Sequence, residues 1–575
     1  MNLPSLVSQS AGFLRPTLIR SALPVLLASS ISSSQESQQG YNNTSDTNST
    51  EPILNPEETT QPASPDLFWE SSGDTNNTTT THSLSSRMDQ AKQLFTQPRP
   101  RAILYMASAM ALHFGGYEFV RSSMLALFTS NQVGFSNPGA FPLAMGLASP
   151  FSFLLLMGYG NVLERKGPRA ALQATTLFSI LVFAGTALLL QLLLSLQSTS
   201  SNHLGMARKA LVALAFVYQN SYAHLLYTQH WSFLSSVMTP KEGSIWFSSI
   251  AGLSSIICTM TGTMVKPLVN SVGLVGTVAC NCIFLVLSLI CCDRAYQLSE
   301  THGFDPAKIK QNEKSAQNDD NNNNNSSSSN NNLVWKAKDL FQRVPTLGAL
   351  FGEVLTFQSM SVILNIAMVT RLKQVMPNDN ERAAWTGSLF AGVSGLSGVL
   401  QFVVIPMFLQ RIEPRLVWKV MPLVPFMFSL YQSFQGASPD LFILALSFFA
   451  AKTMDYSIRG VVNEMVYQPL DFDSRYLGKE IIGVLGSRFG KSGVSLLMSG
   501  LAYVFPQFGI YHLSKLSVLA SAGWLTMSWW LSALVPRKDE AQAAFLEQRR
   551  SSPPQSPAKG ATVATDGSAT KDKEE

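Results

Sequence analysis

Charged residues are scarce in this sequence: they make up 13% of its 575 residues, whereas soluble domains usually carry about 25%. The shortage is uneven, because the first hundred residues and the last forty are rich in polar residues. The stretch between them is therefore more apolar than the average of 46% hydrophobic residues suggests. Apolar blocks this long argue against a soluble enzyme or a string of soluble domains.

Cysteine is also rare, and the five residues have neither the spacing of a zinc site nor the pattern of a disulfide-rich domain. All five lie in or beside apolar stretches, at Cys258, Cys280, Cys282, Cys291 and Cys292. We interpret them as small buried hydrophobic residues, and we predict no metal site and no cofactor. The net charge is only +5, with the basic residues in loops, which indicates membrane topology and no nucleic-acid partner.

Apolar blocks long enough to cross a bilayer, which takes about 20 helical residues, are abundant. The first set is Ile103–Phe128, Phe141–Leu163, Ala170–Leu196, Lys209–Phe233, Ser244–Val265 and Val272–Cys292. The second set is Thr346–Val369, Trp385–Leu409, Leu416–Phe434, Leu441–Tyr467, Ile481–Val504 and Tyr511–Val535. This predicts an all-α, polytopic membrane protein with about twelve transmembrane helices in two six-helix bundles, surrounded by the lipid bilayer. A solute path between the bundles is expected, and no second copy of the chain is needed to form it.

The predicted bundles occupy residues 100–292 and 345–536, and 293–344 form a flexible linker. Residues 1–99 resemble a signal or transit segment followed by a disordered polar region, and 537–575 form a disordered tail. Lysine and arginine are concentrated in alternate loops, which places both termini and the linker on the cytosolic side. Cleavage of a signal would instead leave the new N-terminus on the opposite side.

Ionisable groups inside spans are costly and therefore functional candidates. Glu118 and Arg121 share one face of the first span, so they are expected either to pair or to serve function. In the fourth span, Tyr218 and Tyr222 flank amides and histidines and offer faces for a flat ring. The other candidates in these spans are Gln219, Asn220, His224, His230, Glu353, Asn365, Lys452, Asp455, Arg459, Asn463 and Glu464. The first, fourth, seventh and tenth spans thus supply polar groups at equivalent places of a repeated three-span unit, which favours transport.

The segment Asp471–Ser492 combines cations with closely spaced glycines. Its cations are Arg475, Lys479, Arg488 and Lys491. Cations beside a closely approachable backbone suit a phosphate-rich anion, although a basic loop leading into a glycine-packed helix is the structural alternative. An ATPase phosphate loop is not expected, because the position five before Gly490 is Leu485 where the motif requires glycine.

Three pieces of this region resemble the signature of the plastid and intracellular-bacterial ATP/ADP antiporters, the nucleotide transporter family. Residues 465–471 read M-V-Y-Q-P-L-D, Gly478-Lys479-Glu480 follows, and 486–493 read G-S-R-F-G-K-S-G. The family pattern is M-A-Y-I-P-L-D, K-G-K and G-x-x-x-G-K-S-G. Asp455-Tyr456-Ser457 is similar to the family's K-Y-S, and weaker similarity extends from Ile103 to Val535.

The resemblance implies a major-facilitator-like fold that exchanges nucleotides, typically ATP against ADP, as its transported partners. Several charged family positions are neutral here: Ser122, Met124 and Leu125 in the first span, and then Gln219, Asn365 and Leu477. The predicted substrate-binding residues are Arg121, Gln219, Asn365, Arg459, Arg475, Lys479, Arg488 and Lys491. A carrier of another organic anion and a non-transporting membrane receptor or scaffold remain open alternatives.

Two features bear on location. Lys571 and Lys573, the fifth and third residues from the end, resemble a dilysine retrieval signal of the endoplasmic reticulum, or else belong to a solvated tail. The family resemblance instead implies a plastid envelope. The sequence therefore predicts a multi-pass protein of an internal organelle, in one of these two membranes.

Overall fold

The computed structural model of the protein describes residues 97–196, 202–238, 240–304, 340–405, 412–436, 438–467, 470, 478–479, 481–505, 507–537 and 540. All regular structure in this part of the chain is helical, with no strand, which confirms the predicted all-α fold. The predicted N-terminal segment, the C-terminal tail with its two lysines and most of the linker lie outside the described residues.

The described helices alternate with short connections. In chain order they are α1 (Pro98–Thr129), α2 (Ala140–Ser195), α3 (Asn202–Val237), α4 (Pro240–Thr301), α5 (Pro345–Val375), α6 (Asp379–Val399), α7 (Pro414–Val420), α8 (Leu423–Phe434), α9 (Leu441–Met454), α10 (Gly460–Tyr467), α11 (Gly490–Val504) and α12 (Ile510–Leu534). Three π-helical segments adjoin them: Leu400–Val404 after α6, Asp455–Arg459 between α9 and α10, and Ile482–Phe489 before α11.

Two of these helices contain a sharp break at a single glycine. Gly167 in α2 has φ 82° and ψ 173°, and Gly273 in α4 has φ 74° and ψ 176°. This left-handed backbone is open to glycine and strained for residues with a Cβ. The break at Gly167, in a helix of 56 residues, falls between the predicted spans Phe141–Leu163 and Ala170–Leu196. The break at Gly273, in a helix of 62 residues, falls at the second residue of the predicted span Val272–Cys292.

Five helices among the described residues are long and apolar enough to cross a membrane: Ala140–Ser195, Ser249–Thr301, Pro345–Val375, Asp379–Val404 and Leu441–Tyr467. The two longest are more than twice the length that a bilayer requires. Their outer faces expose large apolar side chains, including Leu154, Leu181 and Leu188 at 63%, 70% and 72% exposure. Such surfaces are typical of contact with lipid. Parts of the other predicted intervals also lie in helices, and the count of about twelve spans stays a prediction.

The described helices form two compact units. Unit 1 contains α1 to α4, the end of α5, α6 and most of α11; unit 2 contains the start of α5, α7 to α10 and α12. In unit 1, α1 packs against α3 and α4 around Met106, Phe233 and Tyr296. In unit 2, α12 packs against α7 and α8, and Gln432 donates a hydrogen bond to Ser514 at 2.9 Å. The predicted halves at 100–292 and 345–536 stay a prediction.

Close backbone contact and surface ion pairs hold unit 1 together. A Cβ placed on Gly387 of α6 would lie 3.0 Å from the carbonyl oxygen of Gly262 in α4, so these helices meet through small residues. Just after the break in α2, Arg169 donates to Asp293 at 2.6 and 2.9 Å and to Glu300 at 2.6 Å. All five cysteines are free; Cys258 and Cys292 are buried, as the sequence predicts for all five, whereas Cys280, Cys282 and Cys291 are half-buried.

Candidate functional site

A buried ion pair ties three elements of unit 2 together. Arg459 donates through Nε and Nη2 to Oε1 and Oε2 of Glu353, at 2.9 and 3.0 Å. The indole Nε1 of Trp524 donates a third hydrogen bond to Glu353 Oε1, at 2.7 Å. Glu353 is fully buried and Arg459 is 6% exposed. The bidentate geometry satisfies the buried carboxylate, so the loss of either charged partner leaves the other uncompensated.

The ion pair continues along the π-helical segment into a chain of charges. Arg459 Nη1 donates to Asp455 Oδ1 at 3.2 Å, and Lys452 Nζ donates to Asp455 Oδ2 at 3.2 Å. The sequence spacing predicts both of these pairs, and the structure confirms them. The Arg459 guanidinium also lies 4.1 Å from the centroid of the Phe357 ring, a cation–π contact.

Lys491, the second residue of α11, adds a further positive charge. It is half-buried, and it interacts electrostatically with Lys452 by repulsion and with Asp455 by attraction. Among the described residues of this group, three are cations (Lys452, Arg459 and Lys491) and two are carboxylates (Glu353 and Asp455), which leaves a surplus of one positive charge within the group. We call these five side chains the charged network. A surplus charge inside a helical membrane protein is costly, and an anion offsets that cost.

Two residues of the charged network, Asp455 and Arg459, lie on a π-helical segment, and Lys491 follows another. Asp455–Arg459 and Ile482–Phe489 are both π-helical, a form that occurs mostly as short insertions and frequently at functional sites. The second segment leads directly into α11 at Gly490, where a Cβ would lie 2.8 Å from Leu355 Cδ1 of α5. This glycine therefore permits close packing on α5, as do Gly478 and Gly486, whereas nothing lies within 4 Å of a Cβ on Gly483 or Gly493.

The other predicted substrate-binding residues of this region lie outside the charged network. Lys479 is exposed and pairs with Glu464, Nζ to Oε1 at 2.7 Å. Arg488 is half-buried in the second π-helical segment, and Asn365 is half-buried in α5. Arg475 lies outside the described residues. The structure therefore joins Arg459 and Lys491 through Asp455, and it shows Lys479 in a separate exposed pair.

In unit 1 the predicted pair of the first span forms. Arg121 and Glu118 make an ion pair, and the Arg121 guanidinium lies 3.2 Å from the centroid of the Phe390 ring in α6. A second ring, that of Tyr117, lies 5.5 Å from the same guanidinium. Glu118 is 3% exposed, so this charge pair belongs to the interior of the unit.

Deeper in unit 1 lies a set of uncharged polar groups, which we call the amide–histidine cluster: His113 of α1, Gln219 and Tyr222 of α3, and Asn281 of α4. The rings of His113 and Tyr222 are 5.6 Å apart, and the Tyr222 hydroxyl lies beside Asn281. A Cβ on Gly116 would lie 2.3 Å from Asn281 Oδ1, so this glycine lets α1 and α4 approach closely. All four side chains are at most 1% exposed.

Several polar atoms of this cluster lack a hydrogen-bonding partner within the described part of the chain. They are both ring nitrogens of His113 and Nε2 of Gln219, whereas the Tyr222 hydroxyl and the Asn281 amide interact with each other. A buried polar atom without a partner costs about 1–3 kcal/mol, so such groups are rare in folded proteins. Neighbouring His230 differs, because its Nδ1 meets Leu226 O at 2.5 Å and its Nε2 meets Cys292 Sγ at 3.4 Å.

The tyrosines predicted to face a flat ring face each other. The rings of Tyr218 and Tyr222 are stacked, with centroids 5.6 Å apart and planes 3° apart. The hydroxyl of Tyr218 shares a hydrogen bond of 2.8 Å with Ser179. One face of each tyrosine ring is therefore covered by the other tyrosine ring.

Comparison with known proteins assigns the chain to a family. A family profile described as TLC ATP/ADP transporter matches residues 204–537, which is more than half of the chain. The chain belongs to the TLC ATP/ADP transporter family. This confirms the resemblance seen in the sequence, and because the TLC family is one of transporters, it also confirms that the chain is not an enzyme.

Curated relatives of the TLC family are similar over shorter stretches. ADP,ATP carrier protein 1 of Chlamydia muridarum is 30% identical over 164 residues, 25% of this chain and 31% of the relative. ADP,ATP carrier protein 1 of Rickettsia conorii is 33% identical over 84 residues, 15% of this chain and 16% of the relative. The aligned stretches thus span less than a third of the length of these curated relatives.

Solved structures show the fold of this TLC-family chain. The nucleoside transporter NupG aligns with a TM-score of 0.50 and 13% identity, over 76% of this chain and 100% of that one. A D-xylose–proton symporter aligns with a TM-score of 0.50 and 14% identity, over 77% and 98%. Both likenesses concern the fold alone, which is the predicted major-facilitator-like fold of a multi-pass membrane protein.

Sequence reasoning missed three residues that contact the site in this TLC-family chain. Trp524 and Phe390 lie on spans outside the first, fourth, seventh and tenth, where no charge drew attention to them. Asn281 is a lone amide in an apolar run, and the rule that polar groups inside spans are functional candidates applies to it equally. The signals in the sequence that point to these residues are an isolated amide in an apolar span for Asn281 and a tryptophan in an apolar span for Trp524.

Proposed function

We propose that the protein exchanges nucleotides, ATP against ADP or related nucleotides, across an organelle membrane by alternating access. Membership of the TLC family supports the class of solute, and the major-facilitator-like fold suits a carrier that opens to one side at a time. The observation that carries the proposal is the surplus positive charge of the charged network.

A phosphate group fits that surplus. Lys452 and Lys491 repel each other and share Asp455, so an added anion relieves the repulsion and strengthens the attraction to both lysines. Phosphate oxygens accept several charge-assisted hydrogen bonds at once, which suits lysine and arginine donors. In this proposal Arg459 is held by Glu353 and positions the network, while Lys491 contacts the phosphates.

The remaining predicted substrate-binding residues stay part of the proposal. Arg121, Gln219 and Asn365 occupy spans whose polar groups suit a solute path, and Arg475, Lys479 and Arg488 carry the basic character of the signature segment. We further propose that the protein acts as a monomer within the lipid bilayer of a plastid envelope or the endoplasmic reticulum. Immunogold labelling of an untagged protein distinguishes these two membranes.

The test is uptake of labelled ATP and ADP into proteoliposomes, with and without nucleotide inside. Lys491→Gln leaves two cations and two carboxylates in balance, so the fold should persist. Uptake should fall about tenfold to a hundredfold, because a hydrogen bond to a charged group is worth about 1.5–3 kcal/mol. Lys515→Gln removes an exposed lysine that lies over the Tyr511 ring, and this control should keep normal uptake.

Two rival functions give different results in the same assay. A carrier of another organic anion moves no nucleotide but takes up a different labelled anion, and Lys491→Gln reduces that uptake. A receptor or scaffold moves nothing, and the same substitution has no effect. Absence of nucleotide uptake by the wild-type protein in every exchange mode contradicts the proposal.

A further inference from the structure

The carboxylate of Asp455 lies between two cations of the charged network. Its Oδ1 accepts a hydrogen bond from Nη1 of Arg459 and its Oδ2 accepts one from Nζ of Lys452, both at 3.2 Å. Lys491 is also attracted electrostatically to Asp455. The family pattern K-Y-S has a lysine at this position, so the chain carries an internal anion where the pattern has a cation.

The guanidinium of Arg459 is occupied by internal partners. Its Nε and Nη2 donate to Glu353, its Nη1 donates to Asp455, and the Phe357 ring lies 4.1 Å from it. Lys452 and Lys491 are better suited to an added phosphate, because each ammonium group offers three hydrogen-bond donors. The two lysines that share Asp455 are therefore the ones that would contact a phosphate chain.

Part of this group is exposed in the structure. The side chains of Lys452 and Asp455 are 16% and 17% exposed, and Lys491 is half-buried. The ring of Tyr456, which is 43% exposed, has its centroid 5.6 Å from Lys452 Nζ. An anion can therefore approach Lys452 beside Asp455 in the conformation that the structure shows, without separation of the surrounding helices.

Asp455 offsets part of the attraction that the two lysines exert on an anion. An anion bound to Lys452 lies near the Asp455 carboxylate, because the two side chains are in contact. Coulomb energies are proportional to the product of the charges, and they grow as the surroundings become less polar. Each further negative charge on a phosphate chain is thus attracted by the lysines and repelled by Asp455. The net gain from added charge is smaller than it would be with a neutral residue at this position.

We propose that Asp455 determines which phosphate charge the carrier accepts, by offsetting the attraction of Lys452 and Lys491 so that a nucleoside monophosphate binds nearly as well as a triphosphate. This inference rests on the proposed function. It extends the related nucleotides of that function to those whose phosphate carries little charge, and it makes Asp455 the residue that sets this selectivity.

The test is displacement of labelled AMP from the purified full-length protein by unlabelled AMP and ATP. A chelator is present, because Mg²⁺ binds phosphate oxygens and neutralises part of the ATP charge. In the wild-type protein the two dissociation constants should agree within about tenfold. Asp455→Asn removes the repelling charge and nearly keeps the shape, so the preference for ATP over AMP should rise about tenfold or more. Lys452→Gln removes an attracting charge and leaves Asp455 paired with Arg459, so the preference for ATP should fall.

The ratio of the two constants separates this role from a structural one. Disturbed folding weakens the binding of AMP and ATP alike, whereas a change in local charge alters their ratio. Asp455→Glu keeps the charge and should keep the wild-type ratio. Asp455→Asn combined with Lys452→Gln restores the sum of the charges and should return the ratio towards the wild-type value. Lys515→Gln removes a charge from an exposed position over the Tyr511 ring, and this control should leave the ratio unchanged.

The outcomes distinguish this inference from transport itself. An ATP-to-AMP ratio that is the same in the wild-type protein, Asp455→Asn and Lys452→Gln overturns the inference, and exchange measured in proteoliposomes then leaves the proposed function intact. A wild-type preference for ATP far above tenfold also overturns it. A ratio that moves in opposite directions in the two variants, in a protein that exchanges no nucleotide, supports the role of Asp455 and contradicts the proposed transport. Absence of nucleotide binding by the wild-type protein contradicts both.

Discussion

The charged network of unit 2 contains buried ion pairs, whereas the amide–histidine cluster of unit 1 is uncharged and includes polar atoms without partners among the described residues. Unit 2 thus gains local rigidity from Glu353, Arg459 and Trp524, and it retains a positive surplus. In unit 1 the buried pair of Glu118 with Arg121 lies in the same helix as His113 of the uncharged cluster. The positive charges of unit 2 can attract an anion, whereas the uncharged donors and acceptors of unit 1 can distinguish one hydrogen-bonding pattern from another.

The largest effect on stability is expected from removing Arg459, which pairs with Glu353 in unit 2. Arg459→Met leaves Glu353 buried without its bidentate partner, so the free energy of unfolding should fall by about 3–5 kcal/mol. Thermal unfolding in detergent micelles measures the change. The double variant Arg459→Met with Glu353→Gln should recover most of the loss, because neither buried charge then remains. No recovery in the double variant contradicts this account of the ion pair.

An intermediate effect is expected where unit 1 packs most closely. A Cβ on Gly116 overlaps Asn281 Oδ1, so Gly116→Ala should lower the free energy of unfolding by about 1–3 kcal/mol. Gly185→Ala in α2 is the control, since nothing lies within 4 Å of its Cβ position. Alanine there should stabilise the helix by about 0.5–1 kcal/mol. Equal melting temperatures for the two variants in micelles would contradict the close packing of α1 on α4 at Gly116.

The smallest expected effect concerns an exposed pair. Lys479 and Glu464 have side chains that are 55% and 58% exposed, and such pairs contribute only about 0–1 kcal/mol. Lys479→Gln should therefore leave the melting temperature nearly unchanged. If Lys479 contacts the solute as the sequence predicts, uptake into proteoliposomes should fall without any loss of stability. Unchanged uptake would show that Lys479 does not contribute to binding of the solute.

The sequence predicted the features that depend on near neighbours. The apolar blocks predicted the helices, and Gly167 lies between two predicted spans, whereas Gly273 lies at the start of one. The spacing of Lys452, Asp455 and Arg459 predicted two ion pairs. These follow from helical periodicity, which places residues three and four apart on one face. The family signature was equally local, since its rare residues lie within about thirty positions.

Contacts between distant residues were beyond the reach of periodicity. Glu353 pairs with a residue 106 positions away and accepts from Trp524, 171 positions away. The pattern of apolar residues also did not predict the π-helical geometry of Ile482–Phe489. The partnerless state of His113 depends on three helices packing together, so only the structure reveals it.

The single-residue breaks at Gly167 and Gly273 have a practical consequence for mapping the protein in cells. Each joins two long helical segments through one residue whose backbone other amino acids adopt only with strain. A tag or cleavage site inserted there interrupts a connection of one strained residue, so a reporter placed at either break measures a disturbed protein. The short connection at Ser130–Gly139, between α1 and α2, offers a gentler position for reading which side of the membrane the chain faces.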